Sequence, residues 1–182
     1  MENSKIEITL SGSGGQGLIL AGFVLAEAAG IIEGKEVVQT VMYGPEARLG
    51  TSRSDVIISE THISYPKVVN PDILVVLSQG AYDKFKSIVK NKGIIVADTT
   101  FVNCEDKKNI IKIPFTQIAR ERIGTPLVAN MMVLAYISRK FKLVKHDSLI
   151  EAVKRRVKEK YIELNLRALE EGNNIGENTP SY

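Results

Sequence analysis

Residues Ile6 to Gly17, IEITLSGSGGQG, constrain the fold more than any other stretch of the chain. Ile6, Ile8 and Leu10 alternate with polar residues, the two-residue period of a strand. Gly12-Ser13-Gly14-Gly15-Gln16-Gly17 follows at once, and an apolar, Ala-rich segment, Leu18 to Ala29, comes next. The order is strand, glycine turn, helix. Glycines supply the backbone freedom and close approach that such a turn needs. The helix start presents unpaired N–H groups and the positive end of its dipole, which suits an anion. Two readings stand side by side: a turn that holds a phosphate or pyrophosphate, and a tight strand-to-helix turn with no ligand.

The turn matches GxGxxG at Gly12, Gly14 and Gly17. A dinucleotide-binding fold also needs a carboxylate about 20 residues on, at the end of the second strand, to hold the ribose. That strand, Val37 to Met42, ends without one, and Glu36 stands at its wrong end. A P-loop needs Gly-Lys-Ser/Thr, which Gly17-Leu18-Ile19 does not supply. NAD and nucleoside triphosphates are both disfavoured.

Composition narrows the class further. A chain of 182 residues with 44% hydrophobic and 25% charged residues fits one soluble domain with a sizeable core. A net charge of +3 is too small to imply nucleic acid. The single cysteine, Cys104, rules out a disulfide framework or an all-cysteine metal site and points to a reducing cytoplasm. Cys104 itself reads as an uninvolved thiol. The charged N-terminus does not read as a signal peptide, and no apolar run approaches the roughly 20 residues that span a bilayer. His62 and His146 stand far apart, with no HExxH, CxxC or GxSxG nearby.

The remaining elements alternate. Tyr43 to Ser54 reads as a long polar loop, Asp55 to Ser59 as a strand and His62 to Tyr65 as a short extended piece. Ile73 to Leu77 and Gly93 to Ala97 are fully apolar runs of the buried-parallel kind, and Ile110 to Ile113 is a further strand. Helical spacing covers Gly80 to Lys90, Thr116 to Ile123 and Leu127 to Phe141. Ser148 and Glu151 form a capping box that opens a last helix, Leu149 to about Glu171, which Gly172 ends. Residues 1–172 then form a single domain, and residues 173–182 a flexible C-terminal tail. The fold class is α/β, with a mainly parallel sheet and helices on both faces. Ligands of such sheets bind at the carboxyl ends of the strands. The glycine turn, the Tyr43–Ser54 loop, Ser78-Gln79 and Asp98-Thr99 share that edge.

Three candidate site groups follow, each with two readings. The glycine turn is the first. In the loop, Arg48 and Arg53 offer forked donors to phosphate and Ser52 and Ser54 offer neutral ones; otherwise it is a surface loop or a protein interface. Asn130, inside the apolar helix, must find hydrogen bonds, either with a ligand or as a cap or sheet contact. The basic stretches Arg139–Lys145 and Lys154–Lys160 read as solvated helix faces.

The ordered set Gly12–Gly17, Leu25-Ala-Glu-Ala28, Tyr43-Gly-Pro-Glu-Ala-Arg48, Ile63-Ser-Tyr-Pro66, Pro71-Asp72 and Leu77-Ser-Gln79 resembles the gamma subunits of the 2-oxoacid:ferredoxin oxidoreductases, over about residues 6–160. The Gly-Pro-Glu-Ala-Arg loop and Val76-Leu-Ser-Gln79 are most similar to the 2-oxoglutarate branch. The loop departs from the family at Leu49, where Gly is usual. The resemblance implies a three-layer α/β/α fold with a mainly parallel, mixed sheet, like domain III of pyruvate:ferredoxin oxidoreductase.

It also implies an oxidoreductase subunit, inactive alone and cytoplasmic, in a complex converting 2-oxoglutarate, coenzyme A and oxidised ferredoxin to succinyl-CoA, carbon dioxide and reduced ferredoxin. The implied partners are thiamine diphosphate-binding alpha/beta-type subunits and a ferredoxin-like delta-type subunit, with ferredoxin as acceptor. Thiamine diphosphate with Mg and the iron–sulfur clusters are expected on those partners, since no cysteine set or thiamine motif stands in this chain. For this chain the resemblance implies a shared coenzyme A site, with Gly12, Ser13, Gly14, Gly15, Gln16, Gly17, Arg48, Ser52 and Asn130 around it. No residue here is expected to be catalytic or to bind metal. The small subunit of an indolepyruvate:ferredoxin oxidoreductase and a structural subunit without a ligand of its own remain as alternatives.

Overall fold

Strand β1 (Lys5–Ser13) lies at the heart of a six-stranded sheet in the order β2-β3-β1-β4-β5-β6, with β2 Glu36–Met42, β3 Thr51–Ser59, β4 Ile73–Val76, β5 Ile94–Asp98 and β6 Ile110–Ile113. The protein is described from a computed structural model, which covers residues 5–42 and 50–179. β1, β4, β5 and β6 pair in parallel, whereas β3 runs antiparallel between β1 and β2. The expected mixed α/β sheet is therefore present. Its antiparallel strand begins at Thr51, so Thr51 to Ser54 belong to the sheet and not to a loop. His62 to Tyr65 form no strand.

The two faces of the sheet are covered unequally. Ile8, Leu10, Val56, Ile58, Ile73, Val75, Val96 and Ile111 enter one large core. Over it lie α1 (Leu18–Glu27), α3 (Phe115–Ile118), α4 (Ala129–Phe141), α5 (His146–Arg156) and α6 (Glu159–Asn178). Among the described residues the opposite face carries α2 (Gln79–Phe85) and the helical turn Lys86–Ile88 that follows it, on Leu74, Val76, Ile95 and Ala97, while Ile63 and Val68 from the loop after β3 cover Ile57. Ser78 caps α2, its hydroxyl accepting from the Ala81 N–H at 3.3 Å.

The polar alternates of β1 are buried as well, and each has a partner. The Thr9 hydroxyl donates to Asp55 at 2.6 Å, and Ser11 donates to the Ser52 carbonyl at 2.8 Å. Glu7 meets Lys90 at 2.9 Å and Lys5 at 3.0 Å, and Lys90 also reaches Asp72 at 2.9 Å. Burial alone would raise the Glu7 pKa; the bonds and charges of Lys90 and Lys5 outweigh it and hold the carboxyl low. Burial would likewise lower Lys90, but its bonds to Asp72 and Glu7 raise it.

The sign of each shift sets a pH window. A depressed carboxyl contributes stability above its unfolded pKa that is lost as pH falls through the folded value; a raised ammonium contributes below its unfolded pKa and loses it as pH rises through the folded value. In urea titrations, the stability difference between wild type and Lys90→Met should therefore be flat from about pH 6 to 9. It should shrink below about pH 4 and again above about pH 10.5. A difference that stays constant down to about pH 2 would contradict this.

The C-terminal third differs most from expectation. α5 begins at His146, and Ser148 is not its cap. Glu33 performs that role from the far end of the α1 segment, accepting from the Lys145 N–H at 2.6 Å and the Ser148 hydroxyl at 2.8 Å. The expected single last helix is broken at Val157 and Lys158, both extended, so that α6 turns back across α4. Gly172 does not end α6. It sits against the backbone of Met132, and the helix continues to Asn178 with Gly176 against Tyr136 and Arg139. Residues 173–178 of the expected tail are therefore helical and packed.

Candidate functional site

The glycine turn closes the carboxyl end of β1 and opens α1. Gly15 has φ +92° and Gly17 φ +72°, both in the left-handed region, and Gly17 is the N-cap. The turn is locked from within by Gln16. Its Oε1 accepts from the Ser13 N–H at 2.7 Å, and its Nε2 donates to the Leu77 carbonyl at the end of β4 at 2.8 Å. A Cβ on Gly12 would meet that same Oε1 at 2.4 Å, so Gly12 makes room for the Gln16 brace.

The other residues divide by what they leave open. The Gly14 N–H donates to the Gly50 carbonyl at 3.1 Å. The N–H groups of Gly15, Gly17 and Leu18 make no hydrogen bond among the described residues and stand at the positive end of α1. Among the described residues, a Cβ on Gly14 would meet only Gly50 O, at 3.8 Å, and one on Gly15 would meet nothing within 4 Å. Gly15 is exposed and Gly17 half-buried, whereas Leu18 is buried, so the accessible free donors on this braced turn are those of Gly15 and Gly17.

Asn130, at the start of α4, lies directly behind the turn and donates from Nδ2 to the Gly17 carbonyl at 2.9 Å. A Cβ on Gly17 would come within 2.5 Å of that nitrogen, so Gly17 is fixed by this contact as well as by its φ. Asn130 Oδ1 is buried without a partner, which costs about 1–3 kcal/mol. Nδ2 carries two hydrogens, and only the one given to Gly17 has a partner among the described residues. Asn130 braces the turn from behind.

Ser52 sits opposite Gly12 in the β1–β3 ladder, its hydroxyl 3.4 Å from the Gly12 carbonyl. Arg48 and the rest of Tyr43–Leu49 lie outside the described residues. Arg53 is not an anion ligand. It is buried, bonded to Asp55 at 2.7 Å and to the Val68 carbonyl at 2.9 Å, and stacked 5.2 Å over the Phe85 ring. Ser54 is fully buried and accepts from Gln39 at 3.0 Å.

A cleft of about 220 Å³ opens beside the turn, between Gly15, Gln16 and Leu77 on one side and Phe101, Arg120 and Leu127 on the other. Phe101 and Leu127 are large apolar side chains left exposed at 50% and 76%, and Arg120 is an exposed cation. Sequence periodicity does not reveal these three, because Phe101 stands in the turn after β5, Arg120 on the outer side of the helical segment that continues α3, and Leu127 in the short turn before α4. Behind them, buried Asp98 accepts from the N–H groups of Thr100 and Thr116 at 3.0 and 3.1 Å, tying β5 to the start of α3. The Cys104 thiol lies away from the turn, and burial raises its pKa. Among the described residues no three His, Cys, Asp or Glu side chains form a group that could hold a metal ion. No helix among them is long and apolar enough to cross a membrane.

Comparison with known proteins gives this geometry its context. The family model for pyruvate ferredoxin/flavodoxin oxidoreductase matches residues 7–175. The 2-oxoglutarate synthase subunit KorC of Methanocaldococcus jannaschii is 46% identical over 170 residues, 91% of either chain. The ketoisovalerate oxidoreductase subunit VorA of Methanothermobacter marburgensis is 34% identical over 94% of this chain but only 36% of its own length, so the same unit also occurs inside longer chains.

Among solved structures, the gamma subunit of a keto/oxoacid ferredoxin oxidoreductase from Geobacter sulfurreducens superposes with a TM-score of 0.84 at 35% identity, over 95% of this chain and 97% of that one. A 2-oxoglutarate:ferredoxin oxidoreductase from Magnetococcus marinus, solved with 2-oxoglutarate, coenzyme A and succinyl-CoA bound, shares the fold at a TM-score of 0.86 and 22% identity, over all of this chain and 32% of that one. The chain belongs to the pyruvate ferredoxin/flavodoxin oxidoreductase family, as a gamma-type subunit of a 2-oxoacid:ferredoxin oxidoreductase.

Proposed function

We propose that this subunit serves a 2-oxoglutarate:ferredoxin oxidoreductase and that its glycine turn receives phosphate groups of coenzyme A. Four relatives named 2-oxoglutarate synthase subunit KorC, 38% to 46% identical, support the choice of 2-oxoacid. The enzyme would convert 2-oxoglutarate and coenzyme A to succinyl-CoA and carbon dioxide, passing electrons to ferredoxin. The observation that carries the coenzyme A assignment is the pair of free N–H groups on Gly15 and Gly17, held by Gln16 and Asn130 at the start of α1. Arg120 adds a positive charge to the wall of the cleft, and Arg48 is two residues before Gly50, which bonds to Gly14. A 220 Å³ cleft is smaller than the roughly 300–1,000 Å³ of a complete ligand pocket, so the remainder of so large a molecule would lie on partner subunits.

Thiamine diphosphate with Mg and the iron–sulfur clusters do not fit this chain, which has one cysteine and, among its described residues, no metal-binding group. In this reading they belong to thiamine diphosphate-binding alpha/beta-type subunits and a ferredoxin-like delta-type subunit. The part left to this chain is to bind and orient coenzyme A and to shape the complex.

A second reading is favoured by the internal bonding of the turn, since Gln16, Gly12 and Gly17 are fully explained by packing: the turn holds α1 and nothing else. One substitution separates the two. A Cβ at Gly14 meets no atom of the described residues closer than 3.8 Å, so Gly14→Val should keep the fold, checked by circular dichroism, and crowd the donors. In the assembled complex its KM for coenzyme A should rise by about tenfold or more, the loss of one or two bonds to a charged group. An unchanged KM would support the packing reading and refute the phosphate site.

A further inference from the structure

A separate pocket of about 370 Å³ lies toward the other end of α4, where the segment after α1 meets the start of α5. Asn130 and Ser138 are eight residues apart on α4, about 12 Å along its axis, so this pocket is distinct from the cleft at the glycine turn. Ala135, Val144 and Leu149 give it an apolar floor. Lys35, Arg139, Lys142 and Lys145 face it with positive charge, against one carboxylate, Glu33.

That carboxylate is fully occupied. It accepts from the Lys145 N–H, the Ser148 hydroxyl and Lys35, the last at 3.1 Å. Burial pushes the Glu33 pKa up, but these three partners outweigh it and hold it low, so the group stays an anion with its charge already matched. Arg139 is likewise paired, with Glu177 at 2.9 Å. The Lys142 and Lys145 ammonium groups have no carboxylate partner among the described residues.

Two polar side chains in the pocket wall remain unsatisfied. Ser138 is 2% exposed and its hydroxyl has no hydrogen-bond partner; His146 Nδ1 is also buried without one, while its Nε2 faces Glu170 at 3.3 Å. A buried hydroxyl left unpaired costs about 1–3 kcal/mol unless something else completes it. We propose that this pocket is a second anion site, which takes a small phosphate-bearing molecule on Ser138, His146, Lys142 and Lys145. A terminal phosphate carries three oxygens and so engages a hydroxyl, an imidazole and two ammonium groups together; a carboxylate has two. The apolar floor fits an organic body attached to that phosphate. Nothing in this site depends on coenzyme A binding at the glycine turn.

The test is a titration of the full-length chain with pyrophosphate and, separately, inorganic phosphate, followed by NMR at the His146 ring and the Ser138 amide. Sodium chloride of equal ionic strength serves as control. Saturable shifts at both residues are expected with the phosphates and not with chloride. Lys142 and Lys145 are exposed, so Lys142→Gln/Lys145→Gln should stay folded and bind at least about tenfold more weakly. Ser138→Ala should weaken binding too, and Gly14→Val should bind pyrophosphate at this pocket as wild type does. The proposal is overturned by no shift at His146, by shifts reproduced by chloride, or by affinity unaltered by the double lysine change. Saturation that Gly14→Val abolishes would assign the anion to the glycine turn and likewise refute the second site.

Discussion

Gly172→Ala should destabilise the protein, although helix propensity alone favours alanine at a helical position by about 1 kcal/mol. The added Cβ would lie 2.0 Å from the Met132 carbonyl oxygen and 2.8 Å from its carbon. Both are backbone atoms within α4, so no rotamer change relieves the contact and α6 must move away as a unit. Gly176, one turn on, has similar neighbours in Arg139 Cβ at 3.0 Å and the Tyr136 carbonyl at 3.2 Å, which leaves little room for sliding. Overpacking of this kind costs about 1–3 kcal/mol and sometimes more, enough to reverse the propensity gain. Urea denaturation should show a net loss of about 2 kcal/mol or more for Gly172→Ala, and a larger one for Gly172→Val. A stabilised Gly172→Ala would mean that α6 does not pack on α4 in this way.

Arg53→Met should cost about 3–5 kcal/mol, because it strands a buried carboxylate. Asp55 is 4% exposed, and its charge is met by Arg53 and by the hydroxyl of fully buried Thr9. The methionine would keep much of the packing on Phe85 while removing the charge and the bond to the Val68 carbonyl. The double variant Arg53→Met/Asp55→Leu should recover a large part of the loss, since an apolar pair of similar volume replaces a buried ion pair at little cost. Chemical denaturation of both variants closes the cycle. A single-variant loss below about 1 kcal/mol would place this pair with the weak, solvated salt bridges.

How far the fold was legible follows from the same residues. The strand, glycine turn and helix over Ile6–Ala29 have strong periods and a distinctive turn, and they form as read. The apolar runs that became β4, β5 and β6 are equally clear. The start of β3 is not legible because Thr51–Ser54 are polar, yet they pair with Leu10–Ser13 of β1, with Arg53 and Ser54 buried and Thr51 and Ser52 partly so. Arg53 looked like a loop cation open to phosphate. Asp55 stands two residues later, on the same side of a strand, and that spacing was the available sign of a pair.

The C-terminal third carried signals that local rules misassign. Arg156-Val157-Lys158-Glu159 contains no helix breaker, so the turn between α5 and α6 is set by packing onto α4. Gly172 resembles a stop but is a close-contact residue. Glu33 caps a helix more than a hundred residues away, which no local pattern records. At the site, the free donors follow from the turn and helix order. The orphaned Asn130 acceptor and the Phe101–Arg120–Leu127 wall depend on the tertiary fold.

The central claim is that the amides at the start of α1 receive phosphate from coenzyme A. A structure of the assembled complex with coenzyme A bound tests it most directly. A phosphate oxygen should lie within hydrogen-bonding distance of the Gly15 or Gly17 N–H, over a turn still braced by Gln16 and Asn130. Coenzyme A bound with every phosphate beyond reach of these amides would contradict it.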